Sequence, residues 1–160
     1  MIPLIAFLSI FALLWGLGHL GLLTWVGITE PIGWWDALRF SLAGMFLLTA
    51  SGHWGRRRPD LVRMVPSFFS RWEPLGPAFL VSATGVLEIF GAIGLMWERA
   101  APLAGLCLGL LLIALFPANV RAARDQIGIA GAEATALLPR TLIQILFLTA
   151  TLAVYLGAPR

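Results

Sequence analysis

Glu88 is the only charge in the membrane-length apolar run Gly76–Met96. Holding an ionisable group at bilayer depth costs roughly 2.5–3.5 kcal/mol even on lenient insertion scales. The side chain is therefore expected to point into a helix bundle, where it finds a partner or keeps its proton. Its neighbours one helical turn away are Thr84, Gly85, Gly91 and Ala92, all small, so this face admits close helix packing. Two readings stand side by side. Glu88 either fixes helix register through a hydrogen bond, or exchanges a proton with, or donates one to, a ligand carbonyl.

The remaining polar residues are few. A haem held by His19 and His53 is not expected, because their separation along the bundle is on the order of 15 Å. His19 lies among Gly16, Gly18 and Gly21 and reads as a satisfied interior histidine; His53 reads as a cap at a helix end. No metal site is expected. Pro117 should kink or end its helix by removing one backbone hydrogen bond, and Asn119 beside it could meet His53 at the same bundle end. Gln144 is a further interior polar candidate. Asp36 and Arg39 are spaced to pair on one helix face. Cys107 is alone, so it reads as a small packing residue and excludes dithiol cycling. No phosphate loop, nucleophile elbow or carboxylate dyad is present, so no self-contained catalytic centre is recognisable.

The elements that must position these groups are membrane spans. The chain has 160 residues, 59% hydrophobic and 12% charged, against about 25% charged in soluble domains. It reads as one membrane domain, residues 1–160, all-α and polytopic, with five transmembrane helices. The spans run over Ile2–Val26, Trp34–Gly52, Pro77–Met96, Pro102–Val120 and Pro139–Leu156. The first is expected to be a retained helix, since it lacks a basic leader and a small-residue cleavage site. Gly105 and Gly109 form a small-residue face in the fourth span, expected to pack near Glu88.

All eleven basic residues are arginine, and they cluster between spans two and three and between spans four and five. This places the N-terminus in the cytoplasm and the C-terminus outside, in a cell membrane of the bacterial inner-membrane type. The pattern fits lipid headgroups and not nucleic acid. Trp25, Trp34, Trp35, Trp54, Trp72 and Trp97 fall at span ends and read as interfacial anchors. The mixed apolar and basic stretch Pro59–Phe69 reads as an interfacial helix, either a connector or a lid.

The motif order resembles the DoxX-like family of small membrane proteins. It comprises His53 after a glycine, Val65-Pro66, Gly85-Val86-Leu87-Glu88-Ile89 with Gly91 and Gly94-Leu95, and Phe116-Pro117-Ala118-Asn119-Val120. The resemblance implies a four-helix membrane core over residues 34–156, with residues 1–26 as an added N-terminal helix. It also implies an association with quinone-linked redox systems, and transfers Glu88, His53, Pro66, Pro117 and Asn119 as motif positions only. The expected function is that of an accessory subunit, whose bundle interior binds a quinone-like or lipid-like molecule. The ligand residues would be Glu88, His53, Asn119, Gly85, Gly91 and Pro117. Membrane lipids, a membrane or redox protein and further copies of the chain are the expected partners. The alternatives are a non-catalytic assembly or chaperone-type partner, working through Gly105 and Gly109, and a proton-coupled carrier of small solutes.

Overall fold

The computed structural model describes residues 2–20, 32–71 and 76–157. The end of the first predicted span towards Val26, together with Trp25, Glu30, Trp72, Glu73 and Arg160, lies outside the described residues. Among those described, the fold is all-α and without strands: α1 Ile2–His19, α2 Trp34–Ser51, α3 Arg58–Met64, α4 Pro77–Met96, α5 Ala101–Arg124 and α6 Leu137–Leu156. A short 3-10 helix, Ser67–Arg71, follows α3.

Packing closes a ring. α2 lies against α4, α4 against α5, α5 against α6, and α6 returns to α2, while α1 leans on the outside of α2. Phe7 of α1 also reaches α6, edge-on to Phe147 with ring centroids 5.6 Å apart. The core sits inside this ring and includes Leu42, Phe46, Leu95, Leu108 and Val154.

Four helices, α1, α4, α5 and α6, are long and apolar enough to cross a membrane. Five were expected, and α2 is not among the four. Its first turns carry Trp34, Trp35, Asp36 and Arg39, which lower its apolarity. Yet most of α2 is buried, from Ala37 and Leu38 round to Met45 and Phe46, with Leu47 on its one open side. Its neighbours shield it, so it can hold polar side chains that a lipid-facing helix could not, provided each is satisfied.

Arg39 shows how. Only 7% exposed, it pairs with Asp36 at 2.7 Å and donates to the carbonyls of Leu95 and Met96 at 3.0 and 2.9 Å. Those are last-turn carbonyls of α4, which have no donor of their own in the helix. The guanidinium also lies over the Phe40 ring, 4.3 Å from its centroid. Beside it, the Trp35 indole donates to the Val154 carbonyl at 3.0 Å. Trp35 is therefore a buried tie between α2 and α6 and not an interfacial anchor. Trp34, Trp54 and Trp97 are exposed.

The opposite end gathers both arginine-rich connections. Met64 of α3 packs on Ala122 of α5 and on Ile127 of the following loop. Asp60 accepts from Arg63 at 3.1 Å and from the Ala130 amide at 2.8 Å, which fastens α3 to that loop. Arg121 donates to the Val65 carbonyl. The loop turns through left-handed backbone at Gln126, Ala130 and Gly131.

Three expectations on single residues are corrected here. α5 runs unbroken through Pro117 to Arg124, so the proline does not end the helix. Cys107 is exposed on the outer face of α5, not packed inside. His19 is also exposed: it bonds the Trp15 carbonyl one turn back, at 3.2 Å, and α1 leans on the ring instead of entering it.

Candidate functional site

Glu88 is 5% exposed and sits in the seam between α4 and α2. The Thr49 hydroxyl of α2 lies 2.7 Å from Oε2 of Glu88 and 2.9 Å from the Phe46 carbonyl. A hydroxyl carries one proton. It serves the ionised carboxylate, leaving the Phe46 carbonyl to its helical partner. Alternatively it serves Phe46, and a protonated Glu88 then donates to the Thr49 oxygen. The geometry holds both states without moving a heavy atom, as a proton-exchanging group requires.

His53 closes the site from beyond the end of α2. Its Nδ1 lies 3.2 Å from the Thr49 carbonyl; a carbonyl only accepts, so Nδ1 carries the proton and donates. Oε2 of Glu88 is 4.0 Å from the same nitrogen, within ion-pair range but too far for a hydrogen bond. The turn bearing His53 is clamped onto α4 by Arg58, which donates to the His53 carbonyl at 2.9 Å. The same side chain reaches Ser82 at 3.0 Å and the Ala78 carbonyl at 3.1 Å.

Gly85 makes this approach possible. A Cβ there would lie 2.7 Å from the His53 Cβ and 2.8 Å from Trp54. The Gly-x-x-Glu spacing is thus explained sterically: the glycine one turn before the acid admits the imidazole. Gly91, one turn beyond, is filled by Leu108 of α5, and Gly94 by Ala104.

The sequence-predicted residues divide into two groups. Glu88, His53 and Gly85 come together, with Gly91 behind them. Asn119 does not join them. Its Nδ2 donates to Oε1 of Gln144 at 2.9 Å, its Oδ1 accepts from Arg140 at 3.4 Å, and Nε2 of Gln144 donates to the Leu112 carbonyl at 2.6 Å. Asn119 therefore belongs to a second polar centre in the α5–α6 seam, two residues beyond Pro117. The expected meeting of His53 and Asn119 gives way to two networks, because His53 is held against α4 by Gly85 and Arg58 while Asn119 is turned to Gln144 and Arg140 of α6. The Gly105 and Gly109 face is also corrected. It receives Thr151 and Val154 of α6, not the Glu88 side of α4.

Thr49 and Arg140 were missed from sequence. Thr49 could have been found as the hydroxyl one turn before His53; nothing local marked Arg140 apart from other loop charges. A groove of about 470 Å³, also unforeseen, opens between α3 and the 126–134 loop, lined by Asp60, Arg63, Gln126 and Glu133 among others. Among the described residues no cluster of His, Cys, Asp and Glu is arranged to hold a metal ion.

Comparison with known proteins places these seams in a family. A family model described as Domain of unknown function (DUF8561) matches residues 42–155, which take in most of α2 and almost the whole of the ring, and leave α1 outside. No curated protein and no solved structure matches the chain. The DoxX-like resemblance is thereby overturned. Its motif residues serve packing needs common to tight helical bundles: Gly85 and Gly91 admit neighbouring side chains, and Asn119 spans a helix seam. More than half of the chain matches, and the protein belongs to the DUF8561 family.

Proposed function

We propose that this protein is an integral membrane accessory subunit whose α2–α4 seam binds a quinone-like or lipid-like carbonyl compound at Glu88. One observation carries this reading: a buried carboxyl held by Thr49 at 2.7 Å, with the His53 imidazole 4.0 Å away, in a bundle of membrane-length apolar helices. Such a group, when protonated, donates to a ligand carbonyl, and when ionised is held by Thr49. Lipid-facing Trp54, Val86 and Leu87 adjoin the site and give an apolar ligand a way in from the bilayer.

In this reading α2 is a fifth crossing, largely screened from lipid by α1, α4 and α6, with Leu47 on its open side. The N-terminus is cytoplasmic and the C-terminus outside, in an inner membrane. The arginine-rich end supports that orientation: Arg56, Arg57, Arg58, Arg63, Arg121, Arg124 and Arg140 face Asp60, Asp125 and Glu133, and positive charge stays inside. A membrane redox protein is the partner this reading implies. The assembly alternative loses its suggested contact face, since α6 covers Gly105 and Gly109.

Quinone titration of the protein in nanodiscs tests the site. Glu88→Leu keeps much of the volume and removes the donor, and should weaken binding about tenfold, the worth of one hydrogen bond. Equal affinity in the two proteins would remove Glu88 from the site.

A further inference from the structure

Arg140 is a half-buried arginine whose charge meets no carboxylate and whose donors are incompletely used among the described residues. Arg39, Arg63 and Arg121 each pair with an aspartate, and Arg58 is satisfied by two carbonyls and a hydroxyl. Arg140 has only the Thr135 carbonyl on Nε at 2.9 Å and Asn119 Oδ1 on Nη1 at a long 3.4 Å. A guanidinium keeps its charge in proteins and offers five N–H donors in a planar fork. Removed from water without a counter-charge, it is costly.

Its surroundings are built rather than incidental. The Leu112 carbonyl can only accept, so the Gln144 amide must turn Nε2 towards it and Oε1 towards Asn119. Asn119 must then turn Nδ2 to Gln144, which leaves Oδ1 for Arg140. Gln144, the pivot, is 6% exposed. A half-buried relay thus holds one edge of the guanidinium and leaves Nη2 without an acceptor among the described residues. Leu137, Leu138 and Leu142 in the first turns of the same helix are 42%, 69% and 58% exposed, so the charge lies one turn inside an apolar helix at the arginine-rich end. That is the level of lipid phosphates.

We propose that Arg140, positioned by Asn119 and Gln144, binds a phosphate-class oxyanion in the α5–α6 seam. The site is separate from Glu88 and does not depend on the quinone reading.

The test uses the full chain in nanodiscs of phosphatidylcholine with or without phosphatidylglycerol, and native mass spectrometry to count retained anionic lipid. Wild-type protein should retain phosphatidylglycerol about tenfold better than Arg140→Gln, the loss of one charge-assisted pair. Arg140→Lys, which keeps charge but loses the fork, should fall between them. Exposed Arg124→Gln should match wild type. Inorganic phosphate added to phosphatidylcholine nanodiscs separates the sources: thermal protection lost in Arg140→Gln indicates a free anion, and its absence alongside lipid retention indicates a headgroup. Equal retention by wild type and Arg140→Gln, with no phosphate effect, overturns the proposal. Should Arg140→Gln not fold, Arg140→Lys and Asn119→Ala decide instead, and wild-type retention in both overturns it.

Discussion

The two polar centres of this bundle solve opposite problems. In the α2–α4 seam an acid is sealed: Gly85 lets His53 close over it, and Thr49 accepts or supplies its proton. In the α5–α6 seam a cation is held at the edge by the Asn119 amide, which Gln144 orients, and its far side is left open. At Glu88 a glycine brings the helices together through backbone approach, so the polar groups there are satisfied within the chain. At Arg140, beyond the Gly105 and Gly109 contacts of the α5–α6 seam, long side chains span the gap, and the charge still looks outward for a partner. Sealing favours proton exchange with a small ligand; an open edge favours recognition of an anion.

The largest expected effect lies in the sealed seam. Gly85→Leu would drive its side chain into His53 and Trp54, where even a Cβ comes within 2.7 Å. Overpacking of this kind costs about 3 kcal/mol, and here it should also expel His53 from the site. Unfolding in detergent, followed by circular dichroism, should show a large drop in midpoint. The companion change Gly109→Ala meets only the Thr151 hydroxyl, at 3.1 Å, and should cost less than about 1 kcal/mol. Equal losses at the two positions would break the contrast between the seams.

Next comes Thr49→Val, which keeps the shape and removes the hydroxyl partner of Glu88. A buried polar group left without its partner costs about 1–3 kcal/mol. The double change with Glu88→Leu should recover part of that loss, because no unpaired acid remains. Absence of recovery would show that Thr49 acts through its bond to Phe46 alone. Gln144→Leu, in the open seam, should cost about 1–2 kcal/mol by freeing both Asn119 and the Leu112 carbonyl.

Helical spacing made half of the sealed site legible. Small residues at one-turn intervals around Glu88 marked a close-packing face, and that face is where the neighbours sit. Thr49 was not legible: it comes from a helix 39 residues earlier in the chain, and only tertiary packing chooses it; His53, in the turn after that helix, was joined to Glu88 only through a resemblance that did not hold. α2 misled for a related reason. Its Asp36 and Arg39 looked like an interfacial pair, whereas Arg39 is buried against the last carbonyls of α4. Trp35 misled similarly, because a tryptophan at a span end is an anchor only when lipid reaches it. The Phe-Pro-Ala-Asn run drew attention to Asn119, but its partner Arg140 read as one more loop charge. Composition gave the fold class because apolar helices of membrane length leave little choice of architecture.

The smallest stability effect is also the most direct comparison of the two seams. Asn119→Asp places a carboxylate where the amide oxygen already lies 3.4 Å from Arg140, and so gives the open seam the internal counter-charge that it lacks. The change removes the Nδ2 donor that Gln144 accepts, so one neutral hydrogen bond is exchanged for an ion pair. Each is worth about 1 kcal/mol in partly exposed surroundings, and the unfolding midpoint should scarcely move. Anion recognition should move a great deal. With its charge answered from within, Arg140 would no longer seek an outside oxyanion, and retention of phosphatidylglycerol should fall towards the Arg140→Gln level while the fold is kept. Full retention in Asn119→Asp would mean that the guanidinium faces lipid without help from the amide relay, and the α5–α6 centre would then be a structural seam with a surface arginine beside it.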